Sequence, residues 1–215
     1  MHIISFVTQK GGSGKTTLVI HCAVAAMQTG ARVLLLDLDE QATAEAWYQD
    51  RESNTPQLIK IGATDLEKAL EAANTKKYDW VLIDTPGRDE PGQAAAIRHS
   101  HLCVIPCRPS PADMKATPTT VETIKRLGKA AAFVLTQTPP RSYRIKEAEQ
   151  GLGVLGMVCP IHIVMRNAYQ DAQGAGLGVT EFEPEGKAAA EIRALWEWIG
   201  NKVGKVRYAK ETNLA

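Results

Sequence analysis

The sequence is poor in features that would assign it to several large classes of protein. Its 215 residues include four cysteines, and none of these forms a C-x-x-C pair. A disulfide scaffold or a zinc-finger motif is therefore not indicated, and we expect reduced core cysteines in a cytosolic protein. The formal net charge is only +1. That balance predicts no general affinity for nucleic acid, but it leaves room for a local basic patch.

Long hydrophobic runs are also lacking. No stretch approaches the roughly 20 apolar residues that are needed to cross a bilayer. The apolar run at 3–7 is too short for a signal peptide and leads directly into a glycine-rich segment. Hydrophobic residues still make up 44% of the chain, which is enough for a sizeable core. We therefore expect a soluble cytoplasmic protein.

Short apolar runs alternate with longer amphipathic ones, a pattern typical of a parallel sheet covered by helices. The sequence predicts a single α/β domain over residues 1–204, with a mostly parallel twisted sheet flanked by helices on both faces, and a polar tail at 205–215. The predicted strands are Ile3–Thr8, Arg32–Asp37, Gln57–Ile61, Trp80–Asp84, Leu102–Pro106, Ala132–Thr136 and Val158–Val164. The predicted helices are Lys15–Thr29, Ala42–Arg51, Asp65–Asn74, Pro111–Leu127 and Glu185–Val203.

A glycine-rich segment, FVTQKGGSGKTTL at Phe6–Leu18, lies between the first predicted strand and helix. Glycines let backbone amides surround phosphate oxygens, and the helix N-terminus adds its positive dipole end. A lysine there reaches the β- and γ-phosphates and a threonine hydroxyl binds Mg²⁺, so the segment predicts a phosphate-binding loop for ATP. The first glycine of the general loop pattern is replaced by Gln9. The residues assigned to the nucleotide are Gly11, Gly12, Ser13, Gly14, Lys15, Thr16 and Thr17.

Carboxylates follow two of the predicted strands. Asp37 and Asp39 end the second strand on the same side of the extended chain, and ligands of open α/β sheets bind outside such strand ends. A solvated pair that caps the next helix is the alternative. Asp84 follows four apolar residues, as expected of an aspartate that binds Mg²⁺ through water. We assign Asp84 and the Thr16 hydroxyl to the metal.

The loop residues Lys10–Thr16 resemble the deviant Walker A motif, K-G-G-x-x-K-[ST], of the ParA/MinD family of ATPases. In that family the first lysine crosses a dimer interface to the partner's ATP, which implies that role for Lys10. Asp37, Asp39 and Gln41 match the family pattern D-x-D-x-Q. The resemblance implies that Asp37 organises the Mg²⁺ shell and that Asp39 orients or deprotonates the attacking water. Lys10, Lys15 and Asp39 are thus the predicted catalytic residues.

Two further stretches carry the resemblance. Thr85–Gly87 is similar to the second switch, and Thr136 stands where relatives place an adenine-contacting residue. A V-x-P-x-x-P-S-x-x-D stretch leads into a helix that lines the dimer interface in relatives. Its matching residues are Pro106, Pro109, Ser110 and Asp113.

Basic residues near the C-terminal end form the predicted DNA-contact set, by resemblance to relatives that bind DNA without sequence preference. This set is Arg166, Lys187, Arg193 and Lys202. Acidic residues are interspersed in the same region, so a solvated face of mixed charge is the alternative. The acidic residues are Glu181, Glu183, Glu185, Glu191 and Glu197.

The resemblance implies an ATP-bridged homodimer of the short ParA type, with weak intrinsic ATPase activity and no stable membrane association. It would bind non-specific DNA, associate with the nucleoid when ATP-bound, and be released by a ParB-like centromere-binding partner during plasmid or chromosome segregation. The alternatives are a ParA-like positioner of another cargo, a VirC1-like DNA-transfer accessory, and an ATP-dependent synthase of similar fold.

Overall fold

A seven-stranded parallel sheet forms the centre of the part of the chain that the structure describes. The structure is a computed structural model, and it describes the backbone of residues 1–87, 91–140 and 142–212 and the side chains in these ranges as far as residue 204. The strand order is β3-β2-β4-β1-β5-β6-β7, and every neighbouring pair is parallel. The strands are β1 His2–Phe6, β2 Val33–Asp37, β3 Gln57–Lys60, β4 Trp80–Asp84, β5 Leu102–Cys107, β6 Ala131–Leu135 and β7 Met157–Val158.

Helices connect the strands, with a short 3-10 turn at Ala63–Asp65. The first six helices each lie between consecutive strands, and the last three follow β7. They are α1 Lys15–Gln28, α2 Thr43–Gln49, α3 Leu66–Thr75, α4 Pro91–His99, α5 Pro111–Arg126, α6 Tyr143–Leu155, α7 Asn167–Gly174, α8 Val179–Phe182 and α9 Lys187–Thr212.

The core divides between the two faces of the sheet because side chains alternate along each strand. Ile4 in β1 points to the face covered by α1 and α9, where it shares a cluster with Leu18 and Leu195. Ile3 belongs to a cluster on the other face, with side chains of α3 and α4. Side chains of α5 and α6 form a neighbouring cluster. Helices on both faces of a parallel sheet confirm the predicted fold class.

The prediction of the last strand is wrong in extent. In place of Val158–Val164, β7 covers only Met157–Val158, and Val164 forms an isolated bridge with Thr138. The ladder ends with the Cys159 amide, which donates to the Phe133 carbonyl at 2.8 Å just before Pro160. The amide of Ile163 returns to the sheet by donating to the Leu135 carbonyl at 2.9 Å.

The helix predictions also need correction. Helices α4, α6, α7 and α8 were not predicted, although Ser142 caps α6 by accepting from the Arg144 amide at 3.3 Å. The final helix begins at Lys187 and continues to Thr212, beyond Val203 where we expected it to end. The side chains of its last turns lie outside the described residues.

Candidate functional site

A cleft of about 840 Å³ opens at the carboxyl ends of the central strands. We call it the loop cleft. Parallel strands direct all of their following loops to this edge, which brings distant segments together. Its lining residues are Gln9, Lys10, Gly11, Gly12, Gly14, Lys15, Thr16, Thr17, Asp39, Glu40, Gln41, Thr43, Pro86, Gly87 and Gln137.

The glycine loop is held from below by the segment that follows β6. The Thr136 hydroxyl donates to the Ser13 carbonyl at 2.7 Å, and the Gln137 side-chain amide donates to the Gly12 carbonyl at 2.9 Å. Gly14 has φ of 97° and is the N-cap of α1, so no side chain occupies the first amides of that helix. Free amides at a helix N-terminus bind anions.

Lys15 and Asp84 are buried together beneath the loop, each exposing less than a tenth of its surface. Burial lowers the pKa of Lys15, against the attraction of the Asp84 and Asp39 carboxylates. Burial raises the pKa of Asp84 to about 7, and the nearby Thr16 hydroxyl and Lys15 oppose the shift. Neither carboxylate oxygen of Asp84 has a partner in hydrogen-bond geometry among the described residues. A buried carboxylate is costly without a partner, so these oxygens fit a cation or its bound waters.

Asp37, at the end of β2, and Asp39, two residues later, lie in different surroundings. Asp37 is fully buried and accepts from the amides of Asp39 at 3.0 Å and Glu45 at 3.2 Å. Burial raises the pKa of Asp37, and these two amides oppose the shift. Asp39 lines the loop cleft and accepts from the Gln41 amide at 3.0 Å. Asp37 therefore fixes the loop after β2, whereas Asp39 faces the cleft.

The loop after β4 approaches the glycine loop closely. The Thr85 hydroxyl donates to the Phe6 carbonyl at 2.7 Å. A Cβ placed on Gly87 would lie 3.5 Å from Lys15 Nζ and 3.6 Å from Gly11 Cα. The predicted second switch is thus next to the lysine and the loop that we assign to phosphate.

Lys10 lies at the mouth of the loop cleft, partly exposed. Lys10 acts electrostatically on Asp113, whose side chain forms two hydrogen bonds of 2.6 and 3.0 Å with Arg108. Burial opposes ionisation of Asp113, but Arg108, with a smaller contribution from Lys10, holds the pKa of this carboxyl below its ordinary value. Asp113 thus has a defined partner within its own chain.

A smaller pocket of about 130 Å³ adjoins the loop cleft, and we call it the side pocket. Gly14, Thr17 and Gln137 line both cavities. The rest of its wall comes from the start of α1, from Thr136 and from the segment that leads into α7. These residues are Leu18, Thr136, Ile163, Val164, Met165, Arg166, Tyr169 and Gln170.

Glu191 of α9 organises the wall of the side pocket, and sequence reasoning missed this role. Its carboxylate accepts from the Val164 amide at 3.1 Å, from the Tyr169 hydroxyl at 2.9 Å and from the Arg166 guanidinium at 2.6 Å. These partners are 22 to 27 residues away in sequence. A lone glutamate on a helix of mixed charge carries no local signal of such a network.

The four predicted DNA-contact residues do not form one surface. Arg166 is paired with Glu191, and Arg193 donates to the Pro184 carbonyl at 2.6 Å. Lys187 is exposed, and Lys202 lies over the Trp198 ring at 5.3 Å. With about 100° per residue on a helix, Arg193 and Lys202 project on opposite sides of α9. The assignment of these residues to DNA stays a prediction.

The residues of the loop cleft fit a magnesium nucleotide. Thr16 lines the cleft and the Asp84 carboxylate lies near it, and both are oxygen groups of the kind that Mg²⁺ prefers. Both oxygens of Asp37 accept from backbone amides, so its assignment to the metal stays a prediction. Among the described residues no three acidic, histidine or cysteine side chains form a ready metal cluster. Mg²⁺ keeps several waters and takes further ligands from phosphates, so it needs few ligands from the protein. The described part of the chain also contains no helix long and apolar enough to span a membrane.

Comparison with known proteins agrees with this geometry. The maintenance of carboxysome distribution protein A of Halothiobacillus neapolitanus is 30% identical over 193 residues, covering 85% of this chain and 88% of the relative. Protein VirC1 of Rhizobium rhizogenes is 31% identical over 120 residues, covering 53% of this chain and 52% of the relative.

Solved structures share the fold. The septum site-determining protein MinD of Pyrococcus horikoshii, complexed with Mg-ADP, superimposes with a TM-score of 0.75 at 20% identity, covering 95% of this chain and 98% of the other. A family model described as the CobQ/CobB/MinD/ParA nucleotide binding domain matches residues 4–211. The chain therefore belongs to the ParA/MinD family of nucleotide-binding P-loop proteins.

Proposed function

We propose that the protein is an ATPase whose ATP-bound form is a dimer that positions a cargo on DNA. The observation that carries this proposal is the arrangement under the glycine loop. Lys15 is buried next to an unpartnered carboxylate of Asp84, and the Gly87 backbone approaches the lysine amino group. A triphosphate with Mg²⁺ would supply partners for both buried charges and would contact the loop after β4.

Each residue of the loop cleft then has a distinct task. The amides of the glycine loop and Lys15 hold the β- and γ-phosphates, and the Thr16 hydroxyl with Asp37 and Asp84 holds Mg²⁺ and its waters. Asp39 lies on the cleft wall, where it orients the attacking water or accepts its proton. The Gly87 amide would contact the γ-phosphate and so distinguish ATP from ADP.

The side pocket is the place for the adenine base. It continues from the loop cleft beyond Gly14 and Thr17, on the side away from the carboxylates. Thr136 forms part of its wall, but its hydroxyl already donates to the Ser13 carbonyl. We infer that Thr136 supports the base through its methyl group and holds the loop through its hydroxyl.

Lys10 supports the dimeric part of the proposal. It is at the open side of the cleft, where a second chain can approach, and its ammonium group is not needed to close its own loop. A cation given to the partner's phosphates stabilises the charge of the transition state, as an arginine finger does. It also makes dimerisation depend on ATP.

Segregation of plasmid or chromosomal DNA, with a ParB-like partner that stimulates hydrolysis, is the first candidate for the cargo. A protein body such as a carboxysome is the second, because a relative named for carboxysome distribution matches 85% of the chain. A VirC1-like accessory role in DNA transfer is supported by a match of about half the chain, 53%. The three roles share the same ATP cycle and differ in the partner.

The proposal is tested by phosphate release from Mg-ATP, measured for the wild type and for Asp39→Ala. We expect slow release by the wild type and at least a tenfold reduction in the variant, with ATP affinity retained. Gln57→Ala, at the start of β3, is a control far from the cleft. Equal rates in all three proteins, or no release at all, would contradict the proposal.

A further inference from the structure

Three neighbouring helices end at the same edge of the sheet, opposite the loop cleft. Helices α3, α4 and α5 each return from the carboxyl end of one strand to the start of the next. Ala73 of α3 and Ala96 of α4 share one core cluster, and Ile97 of α4 and Ile124 of α5 share another. The three helices therefore cover one face of the sheet, and their last turns point to the same edge.

Basic residues lie in the last turn of α4 and α5 and directly after the last turn of α3. We call the set the basic edge: Lys76, Lys77, Arg98, Lys125 and Arg126. All five are exposed. None forms an ion pair with a carboxylate that lies within the described ranges. The acidic residues nearby in sequence are Asp79, whose carboxylate accepts from the Arg32 amide at 2.8 Å, and Glu122.

The helix dipole favours a cation in a final turn and explains part of this pattern, but it does not explain Lys77. Both α3 and α5 end in a Schellman motif, in which the residue after the C-cap adopts a left-handed conformation. In α5 that residue is Gly128, with φ of 65°. In α3 it is Lys77, with φ of 58°. The left-handed conformation strains a lysine more than it would strain a glycine. Lys77 therefore carries its charge at a conformational cost.

The basic edge differs from the basic residues near the C-terminal end in how its charges are used. Arg166 and Arg193 have hydrogen-bond partners within the chain, and Lys202 covers a tryptophan ring. Within the ranges that the structure describes, the side chains of the basic edge form no hydrogen bond, ion pair or ring contact. They are spread over the ends of three helices, which suits an extended anion.

We propose that the basic edge is the surface that contacts the phosphate backbone of duplex DNA. This inference rests on the proposed function, because it names the surface by which the ATPase holds DNA. Exposed lysine and arginine side chains neutralise phosphates without reading bases, so binding is independent of sequence and steeply dependent on salt. The edge lies opposite the loop cleft, which leaves the face used for dimerisation free.

The test compares charge reversals that alter net charge equally. The full chain with Mg-ATP is titrated into a fluorescein-labelled duplex of mixed sequence, and fluorescence anisotropy is recorded at several salt concentrations. Lys125→Glu with Arg126→Glu changes the basic edge, and Lys187→Glu with Arg193→Glu is the matched control on α9. We expect the first pair to weaken binding at least about tenfold and to reduce the salt slope by roughly 2, and the control to change both far less.

Lys77→Gly separates a binding role from a structural one. The substitution removes a charge, and it also removes the strain of a lysine in the left-handed conformation. We therefore expect a higher melting temperature together with weaker DNA binding. If Lys77 had only a structural role, the melting temperature would rise and the DNA affinity would stay the same.

Three outcomes would overturn the inference: equal losses for both charge-reversal pairs, a loss confined to the α9 pair, or binding to vesicles of anionic lipid in preference to the duplex. Mg-ATP binding is measured in the same samples. Its absence from the wild type would refute the proposed function, whereas intact ATP binding with unchanged DNA affinity in the basic-edge variants would refute this inference alone.

Discussion

The loop cleft and the side pocket adjoin each other but are built in different ways. The loop cleft is lined by eight residues between positions 9 and 17 and by Asp39, which lies two residues after β2. The wall of the side pocket depends on Glu191, which comes from a different helix and holds three groups at 164–169. One cavity is therefore specified by local sequence and charge, and the other by long-range hydrogen bonds that fix a shape.

This difference predicts which change affects which part of a nucleotide. A substitution in the loop cleft should remove phosphate affinity altogether. A substitution behind the side pocket should weaken only ligands that carry a base. The four predictions that follow test this contrast, from the largest expected effect to the smallest.

Lys15→Ala should abolish measurable binding of Mg-ATP, with a loss of at least about a hundredfold. A hydrogen bond from a charged group contributes roughly 1.5–3 kcal/mol, and Lys15 is assigned to two phosphates. Isothermal titration calorimetry measures the affinity. Lys68→Ala, an exposed lysine on α3, is the control and should bind as the wild type does. An unchanged dissociation constant for Lys15→Ala would disprove the loop assignment.

Asp84→Asn should stabilise the nucleotide-free protein as pH rises. The pKa of Asp84 is about 7 in the folded chain, against an ordinary value of 3.8. The folded state therefore binds more protons between these values, and the wild type loses stability from about pH 4 to pH 7. We expect the variant's advantage in free energy of unfolding to grow between pH 5 and pH 8 by about 3 kcal/mol, since pH 5 is roughly two units below the folded pKa and each unit is worth about 1.4 kcal/mol. Urea unfolding at pH 5 and pH 8 measures it, with Asp50→Asn as the exposed control.

The same substitution should weaken Mg²⁺-dependent nucleotide binding, because it removes a carboxylate from the metal shell. Stability and binding would then change in opposite directions at pH 8. A variant that is no more stable than the wild type at pH 8 would show that ionised Asp84 does not destabilise the folded chain.

Glu191→Gln should weaken ATP binding about tenfold, since Arg166 and Tyr169 lose the charged acceptor that fixes them, and such bonds contribute roughly 1.5–3 kcal/mol. Binding of tripolyphosphate, which has no base, should be unchanged. Both are measured by calorimetry, with Glu197→Gln on the same helix as the control. Equal weakening of the two ligands would show that the two cavities are not independent.

Thr136→Val should have the smallest effect, because it changes one hydrogen bond between the two cavities. The Ser13 carbonyl would lose its 2.7 Å partner, at a cost of about 1 kcal/mol. We expect an approximately fivefold weakening of both ATP and tripolyphosphate. Weakening of ATP alone would mean that Thr136 contacts the base and does not hold the loop.

The predictability of the fold follows the same division. The glycine loop, α1 and the strands as far as β6 were anticipated because apolar runs and glycines act over a few residues. The segment after β6 was not, because the chain leaves the sheet after Cys159 and returns at residues 163 and 164 through single hydrogen bonds and an isolated bridge.

The candidate site shows the same limit. Asp84 could be assigned from its place after an apolar strand, but its unpartnered oxygens required the structure. Glu191 and the left-handed Lys77 could not be found from sequence, because the role of each depends on partners or backbone angles that no motif encodes.

The most direct test of the account is the mass of the ATP-bound protein by light scattering, in a background that hydrolyses ATP slowly. For Asp39→Ala with Mg-ATP we expect a particle of twice the 23.3 kDa of one chain. Adding Lys10→Ala should return the mass to that of a single chain while calorimetry still detects ATP binding. A double variant that remains dimeric with ATP would contradict the claim that each copy lends this lysine to its neighbour's nucleotide.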